Sequence, residues 1–286
     1  MTPVVTAIIV NYNAGAELRR ALQSIADDMG ERPWDAVVVD NASTDGSAEI
    51  ALEFHPHAAL VRNTQNVGFG RGVNQGLAVA RAPMVLIMNP DCRVEPGAIA
   101  RLASELERHS GCVIVGPRIL DPDGTEQGSA RGDPDMLTGA FGRSTRLRRL
   151  LPGLGISARN VVLASTARDG GSLAVDWLSG ACMLVRTDGV RAAGGFDERY
   201  FLYWEDADLC RRLRNAGSHV RYVPAATAVH RVGQSSRTAR ASSIKAFHAS
   251  AYLYYATHVA PGTLNPKRLL ARALLACRCW WLLRRA

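Results

Sequence analysis

Asn89-Pro90-Asp91 is the first segment whose residue types could do chemistry. A magnesium or manganese ion prefers hard oxygen ligands, commonly one or two carboxylates completed by phosphate and water. Asp91, fixed just past an apolar run by Pro90, is placed to give one such carboxylate; a plain Asn-Pro-Asp turn has the same signature. Further along, Glu205 and Asp206 stand side by side. Two adjacent acids in a partly closed site repel, which raises one pKa toward a range useful for proton transfer. Acids at a helix start, favoured by the macrodipole, are the other reading. His230 is the third candidate, because a neutral imidazole completes a metal shell and a charged one binds phosphate. A lone histidine is just as readily structural.

The elements that must position these residues alternate. Val4 to Val10 is a continuous β-branched run, as in a strand covered on both faces. Glu17 to Ala26 sets Leu18, Ala21, Leu22 and Ile25 at helical spacing. Ala36 to Val39, Ala59 to Arg62 and Met84 to Met88 are further strands, with helices to about Phe54 and Ala80 between them. Strands separated by helices pair in parallel with right-handed crossovers. Ligands of such sheets bind beyond the carboxyl ends of the strands. Those ends carry Asn11, Asp40, Asn63 to Asn66, and Asn89 to Asp91. Later, Trp177 to Arg186 reads as one strand, Glu205 to Asn215 as a helix, and His219 to Val223 as a strand closed by Pro224. Asp121 to Asp169, rich in Gly, Pro, Arg and Asp, reads as a mobile loop region or a solvated linker. It includes a basic cluster at Arg143, Arg146, Arg148 and Arg149.

With 47% hydrophobic and 21% charged residues, the 286-residue chain can bury a large core and is not generally disordered. Its net charge of +8 suits a phosphate-bearing partner, whether nucleotide, nucleic acid or anionic lipid. The six cysteines form no CxxC pair and read as spare thiols in a reducing compartment. The N-terminus has no basic region or cleavage site, and no apolar run reaches the ~18 residues that span a membrane.

Three long strings narrow the chemistry: Ile8-Ile9-Val10-Asn11-Tyr12-Asn13, then Val37 to Ser47 with Asp40-Asn41 at its centre, then Asn66-Val67-Gly68-Phe69-Gly70-Arg71-Gly72-Val73-Asn74. The last runs GxGxG, not the GxGxxG of dinucleotide folds, and no GxxxxGK[ST] phosphate loop occurs. The second half adds Trp177 to Cys182, Gly194 to Glu198 and Phe201 to Leu209. Over roughly residues 4 to 258 these strings resemble glycosyltransferase family 2, and most of all its bacterial rhamnosyltransferase branch.

That resemblance implies an α/β GT-A (Rossmann-like) fold: a mixed, mostly parallel sheet flanked by helices. Residues 1–258 would form the catalytic domain, with a nucleotide-sugar half at 1–118 and an acceptor and catalytic half at 170–258. Asp40 would contact the base or ribose. Asn89-Pro90-Asp91 would stand for the family's Asp-x-Asp metal motif, with Asn in place of the first acid. Asp91 and His230 would then hold Mg2+ or Mn2+. Asn11, Asn41, Asn66, Gly68, Phe69, Asn74 and Asn89 complete the nucleotide-sugar set. Asp206, beside Glu205, would be the catalytic base, and Trp177, Gly180 and Trp204 would meet the acceptor. The implied reaction is inverting transfer of L-rhamnose from dTDP-L-rhamnose to N-acetylglucosamine on a polyprenyl diphosphate, at the inner face of the cell membrane. A UDP- or GDP-sugar donor, a nucleotidyltransferase and a non-catalytic binder are the competing readings; nucleic acid is not an expected partner. Oligomeric state is left open, homo-oligomer included.

Residues 259–286 form a basic amphipathic tail. At about 100° per residue, Lys267, Arg268, Arg272, Arg278 and Arg285 share an arc of roughly 140°, opposite Leu269, Leu270, Leu274, Trp280 and Trp281. Such a helix suits a membrane interface, tryptophans at headgroup depth and arginines toward anionic lipid, or packing on protein.

Overall fold

The computed structural model describes residues 2–134, 161–167, 171–231 and 240–285. The basic cluster at Arg143 to Arg149 lies outside them. Strand β1 (Val5–Asn11), helix α1 (Glu17–Met29), β2 (Trp34–Asp40), a 3-10 turn at Ser47–Glu49 with short α2 (Ile50–Glu53), β3 (Ala58–Arg62), α3 (Phe69–Val79) and β4 (Met84–Met88) follow in turn. β1 pairs in parallel with both β2 and β4, and β2 with β3. The alternation read from sequence therefore holds.

After β4 come β5 (Cys92–Val94), α4 (Ala98–Arg108), β6 (Cys112–Leu120), β7 (Ala130–Arg131), β8 (Val161–Val162), β9 (Leu173–Ala174), β10 (Trp177–Leu178) and β11 (Cys182–Arg186). Helix α5 (Thr187–Ala192), α6 (Glu205–Asn215), β12 (His219–His230), α7 (Arg240–Tyr254) with a π-helical end at Tyr255–Val259, and α8 (Pro266–Leu283) complete the chain. The main sheet runs β3-β2-β1-β4-β11-β6-β12-β5, with β9 on β12. β11 is antiparallel to β4 and β6, whereas β12 is parallel to β6.

Both faces are covered, which is why β1, β2 and β4 read as unbroken apolar runs. On one face Val5, Ala7 and Ile9 pack with Leu18, Leu22 and Ile25 of α1 and Ile99, Leu102 and Leu106 of α4. On the other, Ile8, Val10, Val85 and Ile87 meet Val73 and Leu77 of α3, Val190 of α5, and Leu209 and Leu213 of α6. Each such side chain stabilises by about 1.5–3 kcal/mol on burial. The glycines of α3 make one of these contacts: a Cβ on Gly76 would sit 2.6 Å from Ile8 Cγ2, and one on Gly72 2.9 Å from Val10 Cγ1.

Two expectations fail here. Trp177 to Arg186 is not one strand. Ser179-Gly180-Ala181 interrupts it, and β10 joins a small sheet with β7 and β8 while β11 joins the main one. Pro224 does not close the last strand either. β12 continues to His230 through a register shift between Val223 and Thr227, which leaves the proline's missing N–H outside the ladder. Most of the stretch Asp121 to Asp169 read as mobile loop or linker lies outside the described residues; at its start Gln127 N–H bonds to Ile119 O at 2.9 Å, and Leu120 pairs with Glu126 in a hairpin.

Candidate active site

The first strand ends form a closed polar knot. Asn11, fully buried, donates its amide to Asp40 Oδ1 at 2.7 Å, Ser47 Oγ at 2.8 Å and Ser43 Oγ at 3.1 Å. Ser43 N–H returns a bond to Asp40 Oδ2 at 3.0 Å. Asn11 thus fixes the carboxylate that the sequence singled out. Beside it, Asn41 donates to Gly68 O at 3.1 Å and Asn66 Oδ1 at 3.2 Å, and accepts from Asn63 at 2.9 Å. Asn66 Oδ1 also accepts Gly68 N–H at 2.9 Å. The knot holds the Asn66–Phe69 loop in a shape only glycine permits at position 68, where φ is +91° and a Cβ would lie 2.4 Å from Phe201 O.

That loop ties the two halves together. Phe69 N–H bonds to Phe201 O at 2.9 Å, and the Phe69 ring stands edge-on to Phe196. Asn74 donates to Phe196 O at 2.8 Å and accepts Phe196 N–H at 2.9 Å, clamping the Gly194-Gly195-Phe196 turn.

Asn89-Pro90-Asp91 joins β4 to β5, which pairs antiparallel with the end of β12 and sets His230 opposite Cys92. The sequence-distant Asp91 and His230 meet as a result: Asp91 Oδ1 lies 3.2 Å from His230 Nε2, with Asn89 Nδ2 also 3.2 Å from that nitrogen. Gln127 orients the ring. Its Oε1 accepts from His230 Nδ1 at 3.0 Å, while its amide donates to His230 O at 2.6 Å and Asp121 Oδ1 at 2.8 Å. With the proton on Nδ1, the Nε2 lone pair faces Asp91, the tautomer a metal ligand needs. Two neighbouring ligands about 2.1 Å from one ion stand about 3 Å apart, so this pair fits Mg2+ or Mn2+. No group of three or more His, Cys, Asp or Glu that could hold a metal occurs among the described residues, so phosphate and water would complete the shell. Gln127 escaped the sequence reading because it lies in the Gly- and Asp-rich stretch taken for loop; only the Leu120–Glu126 pairing brings it to the histidine.

The acid pair sits across a short backbone bridge. Asn89 N–H bonds to Ala181 O at 3.0 Å, and the neighbouring Gly180 N–H bonds to Asp206 Oδ2 at 2.9 Å. Residues 180 and 181 thus join the two functional segments, which is the use of the break in the expected strand. Tyr203 and Trp204 both take left-handed conformations, φ +68° and +72°, just before α6. Trp204 packs on Phe247 and Tyr254, and Ser250 Oγ donates to Leu202 O at 2.9 Å, which holds this costly turn. It sends Glu205 inward and leaves Asp206 half-exposed. Burial, then the nearby Asp206 and Asp208, push Glu205 well above the usual carboxylate range, so it stays protonated. Of the two acids, only Asp206 is open to a substrate. Trp177 joins the same aromatic cluster as Trp204, its indole N–H bonded to Gly132 O at 3.0 Å.

The glycosyl transferase family 2 model matches residues 6–157. Over 97% of its length the chain is 35% identical to an N-acetylglucosaminyl-diphospho-decaprenol L-rhamnosyltransferase of Mycobacterium tuberculosis, covering 92% of that protein. A segment covering 22% of the chain is 47% identical to rhamnosyltransferase WbbL of Escherichia coli, over 24% of that protein. Two solved structures share the fold. GalNAc-T7 with UDP, GalNAc and Mn2+ has a TM-score of 0.61 at 14% identity, over 96% of this chain and 54% of that one. Mannosyltransferase PcManGT of Pyrobaculum calidifontis with GDP-Man and Mn2+ has 0.59 at 19% identity, over 99% and 73%. The strand-end knot, the Asp91–His230 corner and the half-exposed acid of α6 therefore sit on a GT-A fold, and the chain is a glycosyltransferase that belongs to glycosyl transferase family 2.

Proposed function

We propose that this enzyme is an inverting, metal-dependent rhamnosyltransferase that moves L-rhamnose from dTDP-L-rhamnose to N-acetylglucosamine on a polyprenyl diphosphate at the cytoplasmic face of the membrane. The sugar and acceptor follow the relative matched over nearly the whole chain. The observation that carries the chemistry is the two-residue bridge from Asn89 through Ala181 and Gly180 to Asp206, which links the Asp206 carboxylate to the Asn89-Pro90-Asp91 tripeptide.

In this reading Asp40 and Asn41 face the nucleoside and Asn66 to Asn74 shape the donor cleft. Asp91 and His230 would hold Mg2+ or Mn2+, which when bound neutralises charge on the departing diphosphate. Trp177, Gly180 and Trp204 border the acceptor. The acceptor hydroxyl gives its proton to Asp206 as its oxygen bonds to the anomeric carbon. The bond from that carbon to the diphosphate oxygen breaks on the opposite face, and its electron pair leaves with dTDP. Protonated Glu205 adds no second negative charge beside the base.

Incubation with dTDP-L-rhamnose, UDP-sugars and GDP-sugars, each with a polyprenyl-diphosphate N-acetylglucosamine and Mn2+ or Mg2+, tests this. Transfer from dTDP-L-rhamnose alone is expected. Transfer from a UDP- or GDP-sugar alone would replace the donor, and full turnover in chelator would remove the metal role of Asp91 and His230.

A further inference from the structure

Helix α8 is packed the wrong way round for a helix that serves only its own domain. An amphipathic helix normally turns its apolar stripe to the core. Here Arg268 donates to Tyr252 Oη at 3.1 Å, Arg272 lies over the same ring, and Arg278 lies over the Phe247 ring and 3.1 Å from His248 Nε2, all three partners on α7. Only Ala271 and Leu275 of α8 are buried. The opposite stripe, Leu269, Leu270, Leu274, Trp280 and Trp281, faces outward, with the tryptophans 56% and 47% exposed. Of twelve exposed large hydrophobic residues among those described, seven lie between Val259 and Trp281. The middle of the cationic arc, Arg268 and Arg278, is thus part-buried against α7, Lys267, Arg272 and Arg285 stay exposed, and the apolar arc is free.

The charge around this face names its partner. Residues 209–286 contain no Asp or Glu and 14 of the 34 Lys and Arg, so all of the chain's net positive charge resides there. On α8 itself Lys267, Arg272, Arg284 and Arg285 are exposed at the margins and end of the apolar stripe. Arg284 stacks 3.8 Å over Trp280 and Arg285 3.8 Å over Trp281. Along α8 the apolar stripe is flanked by cations and by no acid, and it ends in stacked Trp–Arg pairs, which matches anionic headgroups above an apolar layer. No described helix is long and apolar enough to cross a membrane. We infer that α8 lies in the plane of an anionic phospholipid bilayer, Leu269, Leu270, Leu274, Trp280 and Trp281 inserted and Lys267, Arg272, Arg284 and Arg285 at the headgroups. Its support, α7, also carries the Phe247 and Ser250 contacts to the Leu202–Trp204 turn, so docking sets the acid pair at a fixed height over the lipid. This holds whichever sugar is moved.

The test is flotation of the full chain with vesicles of phosphatidylcholine alone and of phosphatidylcholine with roughly one-third phosphatidylglycerol, without any sugar substrate. The chain is expected to float with the anionic vesicles and to be released by salt. Trp280→Ser with Trp281→Ser lowers partitioning about tenfold or more, and Arg284→Glu with Arg285→Glu removes the preference for anionic vesicles. Neither variant touches the active site, so turnover on an acceptor lacking the lipid chain stays at the wild-type level and certifies folding. Equal flotation of wild type and tryptophan variant would overturn the inference. So would a concentration-dependent dimer, abolished by the same substitutions, in a chain that does not float.

Discussion

Gln127 offers the sharpest test of the metal corner, because it touches neither donor nor acceptor in the proposed mechanism. Replacing it with alanine removes the acceptor for His230 Nδ1 and the donors to His230 O and Asp121. The imidazole then loses the bond that fixes its tautomer. Loss of such a partner costs a metal site 10–100-fold in affinity, or about 1.4–2.7 kcal/mol, while net stability falls by about 1–2 kcal/mol from the lost hydrogen bonds. Gln127→Glu separates these effects. A carboxylate accepts the Nδ1 proton more strongly than an amide but cannot donate to His230 O, so it should restore metal affinity without restoring stability. Manganese binding in the presence of dTDP, followed by the free-ion resonance signal, reads affinity without turnover; urea unfolding reads stability. An alanine variant with the wild-type manganese midpoint would refute the argument that Gln127 presents Nε2 to the ion.

Asp206→Asn keeps the oxygen that accepts Gly180 N–H but cannot take a proton; kcat should fall about 10²–10⁴-fold with donor KM unchanged, and full activity would remove the base assignment. Glu205→Gln should leave kcat nearly intact, since the native side chain is already neutral. Its sign in stability is fixed by linkage: a carboxyl whose folded pKa is raised contributes most below its unfolded value and loses that contribution as pH rises toward the folded one. The glutamine variant should therefore gain on wild type in chemical denaturation as pH rises above about 4.5, and parallel curves would contradict the burial argument. Gly68→Ala forces a Cβ onto Phe201 O; a loss of at least about 1–3 kcal/mol is expected, read as a lower urea midpoint.

Short-range patterning exposed the parallel half well. Met84–Met88 and Glu205–Asn215 have the bounds their periodicity implies, because buried strands and an acid-started helix are specified locally. The resemblance supplied the pairing of Asp91 with His230, which spacing alone could never give across 139 residues. What stayed hidden depends on sheet register. The continuation of β12 past Pro224 rests on a shift against β6, and proline normally signals the opposite. The split at Ser179–Ala181 carries only a short Ser-Gly turn signal between two apolar runs, and that the runs join different sheets is not written in it. The orientation of α8 follows from arginine–aromatic contacts with α7, whereas a helical wheel ranks only polarity.

The continuation of β12 has a consequence for biosynthesis. The segment matched by the family model, residues 6–157, contains Asp40 and Asp91 but neither His230 nor Asp206. The residues of the parallel strands β1 to β4 and of the Asp40 knot thus all precede the imidazole that completes the corner beside Asp91. That corner closes only when the final residue of β12 pairs with Cys92, after the acid-bearing helix has been made. The two residues proposed to hold the metal therefore meet only after the proposed base, Asp206, is already part of the chain.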